Sequence, residues 1–371
     1  MIKQNPIYFS GLNGIRAIAA LGVVVHHITG NLAKFNLNPN VLGTNLDGTP
    51  KGYLLGGHGV TIFFVLSGFL ITYLLLKEAK LGQINIKKFY YRRLLRIWPL
   101  YYTYILLCII AMLYYREAFS SKQLNYYLFF TANIPFIYGF TIELLNHYWS
   151  LGVEEQFYFF WPWLVKKSKN YLLKVLIALV IILVAVRWII HFYTPNTILE
   201  TILHVTRFHC MMIGAIGAIL LESNYLLFIK FFDNKIAQLI AWIILFTVII
   251  NQFHIASIID VEIISIVALA IIVGQINIKN RIINLELKVL NFLGKISYGI
   301  YVIHILIIYL FSKIYTSISI SNNLNYLNYL IIYTSIILLT ILFSWLSFEY
   351  FEKYFLRFKK KFEIIKSSNS K

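Results

Sequence analysis

Arg16 and His27 lie eleven residues apart in one apolar run, GLNGIRAIAALGVVVHH. On an α-helix that is close to three turns, so both side chains leave nearly the same face, roughly 16 Å apart along the axis. A guanidinium holds anions, and an imidazole moves protons near neutral pH. An ionisable group inside a bilayer-spanning segment usually faces a protein interior or an aqueous cavity. One reading is a helix that lines a pathway. The other is that Arg16 snorkels to the headgroups while the histidines sit at the opposite interface.

A second constellation is HYWSLGVEEQFYFFWP, which carries Glu154 and Glu155. A buried carboxylate near His27 would raise the basicity of the imidazole and orient it as a general base. Glu154 is the candidate partner, and the bland alternative is a pair of acids suited to the positive end of a helix. The run KKFYYRRLLRIWP holds Arg92, Arg93 and Arg96. Arg92 and Arg96 share a helix face. Three guanidiniums at the mouth of a cavity suit a polyanion such as a phosphorylated cofactor. They equally suit a positive-inside loop or contact with anionic lipid.

Ser67 and Gly68 sit in FFVLSGFLITY, and Tyr298, Tyr301 and His304 in LGKISYGIYVIH. Ser67 has no nucleophile elbow around it, so the small pair reads as a site of close helix approach. Ser67, Tyr298, Tyr301 and His304 are candidates to line the same cavity, with interhelical hydrogen bonding as the alternative. His58, His147, His191 and His254 fall near helix ends or loops and read as interfacial. No His, Cys, Asp or Glu set has zinc-ligand spacing, so no metal is expected.

These residues need a membrane-embedded frame. Of 371 residues, 59% are hydrophobic and only 13% charged, with mean hydropathy +0.73. The apolar runs have the length of spanning helices. They are continuous, as in 172–190, which excludes the short alternating strands of a β-barrel. The expected fold is all-α, a polytopic bundle with helices near 12–29, 55–77, 90–115, 124–139, 148–165, 171–192, 204–221, 235–253, 257–274, 295–316 and 326–351. The net charge of +18 follows from Lys and Arg collecting in cytoplasmic loops and needs no nucleic-acid partner. The basic loop around Lys77, Lys80, Lys87 and Lys88 is then inside, and loop 30–54 outside. Lys166, Lys167, Lys169 and Lys174 also fall inside if 124–139 is re-entrant or interfacial. The expectation is therefore ten spans with both termini cytoplasmic. The transmembrane domain covers 10–355, and 356–371 forms a basic cytoplasmic tail, amphipathic or frayed. Cys108 and Cys210 both lie in apolar segments and form no disulfide framework. The N-terminus does not read as a cleavable signal peptide.

Taken together, GLNGIRAIAALGVVVHH, FFVLSGFLITY, FYYRRLLRIWPLYY, HYWSLGVEEQFYFFWP and LGKISYGIYVIH resemble the bacterial acyltransferase 3 family, the integral membrane O-acyltransferases of cell-surface glycans. The resemblance runs from about residue 10 to 355. The family's Arg-ten-residues-His pattern falls on Arg16 and His27, its RRxxR pattern on Arg92, Arg93 and Arg96, and the glutamate of its WSLxxE pattern on Glu154. Where the family carries an acid after the Arg-Phe of the seventh helix, this chain has His209.

The resemblance implies an acyl-coenzyme A donor, most often acetyl, and a glycan hydroxyl acceptor beyond the cytoplasmic membrane, in exopolysaccharide, O-antigen or capsule. It implies phosphates on Arg92, Arg93 and Arg96, an acyl arm beside Arg16, and His27 as base with Glu154 orienting it. Asn45 and Asp47 of loop 30–54 are candidate acceptor contacts. No hydrolase-like extracytoplasmic domain is recognised in the sequence, so acceptor handling falls to the membrane core or to separate polysaccharide-biosynthesis proteins. The rival class is a transporter or flippase for an anionic or glycan substrate, because intramembrane Arg, His and Glu also mark substrate pathways. Against it, no internal repeat is found.

Overall fold

The computed structural model describes residues 7–41, 43–45, 48–82, 84–168, 171–317 and 326–365. Asp47 and Lys169 lie outside the described residues. The helices in chain order are α1 (Leu12–Gly30), α2 (Leu54–Lys80), α3 (Ile86–Tyr114), α4 (Ser121–Leu128), α5 (Asn133–Ile137), α6 (Trp149–Lys167), α7 (Leu172–Tyr193) and α8 (Ile198–Thr206). They continue as α9 (Phe208–Glu222), α10 (Leu226–Phe232), α11 (Lys235–Ile249), α12 (Asp260–Asn277), α13 (Lys288–Lys295), α14 (Ser297–Ser317), α15 (Tyr326–Ser347) and α16 (Lys353–Lys359). Among the described residues there is no β-strand, only an isolated bridge between Thr44 and Pro50.

Eight runs are long and apolar enough to cross a bilayer, one of them α8 and α9 taken together, or nine if the bent pair α10–α11 is one span. Helix α6 has the length but carries Glu154, Glu155, Lys166 and Lys167. Region 124–139 forms only the short α4 and α5. At about 1.5 Å per residue neither reaches across a hydrocarbon core.

Local chemistry sets several boundaries. The Asn85 side chain accepts from Lys88 N at 2.9 Å and caps α3. Asn234 caps α11 in the same way through Ala237 N, and the chain turns by 53° between α10 and α11. These side chains satisfy amide donors that the first helical turn leaves free.

Helix α1 is central, packed by α2, α13 and α14. The most extensive contact is between α2 and α9. It depends on Gly68 and Gly214: a methyl at Gly68 would fall 1.9 Å from the Met211 carbonyl oxygen, and one at Gly214 2.0 Å from that of Val65. Small residues allow backbones to approach this closely. By contrast α7 is peripheral. Ile181, Ile182 and Ile189 are exposed apolar residues suited to lipid, while Arg187 turns inward and is buried.

Candidate active site

Two cavities open beside α1. The arginine cavity, of about 200 Å³, reaches the N-terminal half of α1, and the histidine cavity, of about 1150 Å³, its C-terminal end. Arg16, Ser67, Glu154 and Tyr298 line the first, together with Arg92, Arg93 and Arg96. His27 lines the second. Tyr301 lines both. His304 lines neither; it is fully buried and contacts the His27 ring.

The arginine cavity is built from α1, α2, α3, α6, α14 and α16. Five cations face it, Arg16, Arg92, Arg93, Arg96 and Lys359, against the three carboxylates Glu78, Glu154 and Glu363. Arg92 is already committed. It pairs with Glu78 at 2.5 Å, and its other terminal nitrogen donates to the Phe362 carbonyl at 3.0 Å. Tyr91 stacks on Phe362 with ring centroids 4.7 Å apart. The described part of the basic tail is therefore folded onto the cavity mouth, where Lys359, paired with Glu363 at 3.5 Å, adds a cation that the sequence motifs did not reveal. Arg16 donates to Asn13 Oδ1 at 2.9 Å, and the Arg93 guanidinium lies over the Tyr158 ring at 5.0 Å. No carboxylate forms an ion pair with Arg16, Arg93 or Arg96 among the described residues. Three guanidiniums facing one cavity without paired acids present the charge and donors that a polyanion requires.

Glu154 accepts hydrogen bonds from Ser67 and Tyr158, and Tyr158 Oη also lies 3.1 Å from Ser67 Oγ. This polar collar belongs to the arginine cavity. The expected pairing of Glu154 with His27 is not made. The two residues lie at different levels: Glu154 meets Ser67, eleven residues along α2 from Gly56, which packs on His26, and it faces the arginine cavity with Arg16, while His27 faces the other cavity.

His27 is held by other imidazoles. His304 Nδ1 lies 3.1 Å from the Ile300 carbonyl and must donate to it, since a carbonyl only accepts. In the neutral ring that leaves His304 Nε2 as an acceptor. His304 Nε2 is 3.1 Å from His27 Nδ1, which is also 3.0 Å from the Val23 carbonyl. The proton of His27 therefore sits on Nδ1, shared between two acceptors. His27 Nε2 keeps its lone pair and has no hydrogen-bond partner among the described residues. A fixed tautomer with one bare nitrogen is what a general base requires.

His147 completes the cluster. It is 1% exposed, with its ring centroid 5.1 Å from His304 and 6.3 Å from His27. Its Nε2 donates to the Val302 carbonyl at 3.1 Å. The expectation of an interfacial His147 is corrected: residues 143–148 form a 3-10 turn that tucks the ring between α3 and α14. His58 is likewise buried and lines the histidine cavity. His209 is also buried, 3.2 Å from Arg187 and 3.5 Å from Glu262. An acid thus stands beside position 209 from another helix. Asn45 lines the histidine cavity. Both cysteines are free and buried. Among the described residues no group of three or more His, Cys, Asp or Glu is arranged to hold a metal ion.

The family model described as "Acyltransferase domain" matches residues 9–349. "O-acetyltransferase OatA" of Staphylococcus aureus (strain NCTC 8325 / PS 47) is 28% identical over 58% of this chain and 35% of its own length. "Putative O-acetyltransferase SACOL0978" of Staphylococcus aureus (strain COL) is 28% identical over 93% of this chain and 57% of its own length. The chain thus spans from about a third to a little over half of these relatives. No solved structure matches it.

Proposed function

Since the chain belongs to the acyltransferase family whose domain model covers residues 9–349, we propose that it moves an acyl group, acetyl in the first instance, from acyl-coenzyme A to a glycan hydroxyl across the cytoplasmic membrane. The observation that carries this reading is one helix, α1, with Arg16 in an anion-binding cavity and His27, its Nε2 bare, in a second cavity beyond Tyr301. The names of the relatives support the acetyl group and the oxygen acceptor.

In this reading the arginine cavity is cytoplasmic, as are both termini, consistent with Lys77, Lys80, Lys87 and Lys88 at the same ends of α2 and α3. Residues 10–355 form the catalytic unit, and the tail contributes Lys359 to its mouth. Arg16, Arg93, Arg96 and Lys359 hold the donor phosphates. Arg92 chiefly anchors the tail. Glu154, fixed by Ser67 and Tyr158, is placed to accept the amide N–H groups of the donor's pantetheine arm. The histidine cavity admits the glycan, which surface-polysaccharide enzymes supply.

The acceptor hydroxyl gives its proton to His27 Nε2 as its oxygen attacks the thioester carbon. The C–O bond forms, the C–S bond breaks, and the departing thiolate takes the proton back. His304 stabilises the Nδ1–H tautomer throughout. General-base assistance of this kind is worth about 10²–10⁴-fold, and holding donor and acceptor together adds a larger entropic advantage.

The test is transfer of radiolabel from acetyl-coenzyme A to cell-envelope glycans in membranes carrying wild type or His27→Ala. Label with wild type alone is expected. Equal label with both proteins would remove His27 from the mechanism. No label with either would overturn the transferase reading and favour transport.

A further inference from the structure

We propose that Tyr301, with Val60 beside it, determines which acyl groups are transferred: the pair forms a partition that fits a two-carbon acyl group and excludes longer ones. This inference rests on the donor and acceptor assignment above.

Tyr301 and Val60 are the two described residues that line both cavities. They therefore form the wall between the anion site and the base. Tyr301 contributes to it from α14 and Val60 from α2. Tyr301 is 5% exposed and pinned at its tip. Its hydroxyl donates to the His147 carbonyl at 2.9 Å and accepts from Ser150 Oγ. Ser150 lines only the arginine cavity and His147 only the histidine cavity, so this latch crosses the wall. The ring is braced by Phe63, with centroids 6.0 Å apart, and by His147 at 5.6 Å.

The geometry places a strict demand on the donor. Its phosphates sit among Arg16, Arg93 and Arg96, while its carbonyl carbon must come to an oxygen activated by His27. The acyl chain therefore lies at the partition during transfer. Each further methylene presses on a ring held by two hydrogen bonds and two aromatic neighbours. A closely fitted pocket discriminates about 10–200-fold for one methylene. Val60 limits the opposite side with a short branched side chain that has no hydrogen bond to yield.

The experiment compares label transfer from acetyl- and butyryl-coenzyme A into envelope glycans, using membranes with the full-length protein, Tyr301→Val or Val60→Ala. Wild type is expected to favour acetyl by about tenfold or more. The butyryl-to-acetyl ratio is expected to rise by about tenfold in Tyr301→Val and by a smaller factor in Val60→Ala. If Tyr301→Val loses acetyl transfer altogether, the ratio in Val60→Ala decides. The proposal is overturned if wild type transfers butyryl as well as acetyl, or if the ratio stays at the wild-type value in every variant that still transfers acetyl. Failure of wild type to transfer either label overturns the parent reading and the partition with it, so the two failures are told apart by acetyl transfer in wild type.

Discussion

On one side of Tyr301 the cavity measures about 200 Å³ and gathers four arginines; on the other it measures about 1150 Å³ and is lined by imidazoles, amides and Trp149, with Lys34, Lys51 and Arg207 set against Glu143 and Asp260. The narrow side is suited to one slender polyanion of fixed shape. The wide side exceeds the usual size of a small-molecule site and can take part of a polymer. In the proposed reading, clustered arginines and a narrow fit define the donor side, whereas the acceptor side contributes the bare nitrogen of His27 in a roomy polar space of mixed charge. Substitutions on the two sides should therefore fail in different ways.

The largest effect should come from His27→Ala. It is expected to lower the turnover number about 10³-fold without changing the KM for acyl-coenzyme A, as measured by steady-state transfer. His304→Ala leaves Nε2 in place but releases Nδ1. A fall of about 10²-fold in turnover with unchanged donor KM is expected, and full activity would show that the tautomer is held by the Val23 carbonyl alone. On the other side, Arg96→Ala removes a charge-assisted contact worth about 1.5–3 kcal/mol. Donor KM should rise about tenfold or more with little change in turnover.

Arg92→Ala separates structure from binding within the same arginine motif. Glu78 is 2% exposed, and stranding a buried carboxylate costs about 3 kcal/mol. A clear drop in thermal stability is expected, with a smaller change in donor KM than Arg96→Ala gives. The mildest is Gly214→Ala, which pushes α9 off Val65 and carries α2, with Val60 and Ser67, along with it. A stability loss of about 1–3 kcal/mol should be accompanied by modest rises in both donor and acceptor KM. A change confined to one substrate would show that α2 does not serve both cavities.

The helices were readable because apolar runs of spanning length leave few other folds. The spacing of Arg16 and His27 placed one residue on each cavity, and the motif arginines do converge. The Glu154–His27 pair could not be read: α6 starts beside the buried His147, near His27, so Glu154 lies seven residues further along and faces Arg16's cavity, and an apolar pattern shows neither where in the bundle a helix starts nor how it is rotated. Ser67 illustrates the same limit: Gly68 makes the close approach to α9, while Ser67, one residue away, turns to Glu154. His147 was hidden by the 3-10 turn that buries it, and its contacts with α14 span more than 150 residues of chain. Short helices such as α10, α13 and α16 carry too little periodicity to be seen. The role of Lys359 depends on α16 folding back onto α3.

That fold-back offers an optical handle. Ile7 to Phe9 and Lys359 to Ile365 meet at the mouth of the arginine cavity, while Cys108 and Cys210 are both 0% exposed. A fluorophore attached through Glu363→Cys would therefore report from the proposed donor entrance against a background of two shielded native thiols. Its emission would follow coenzyme A entering and leaving in real time, before any acyl group has moved.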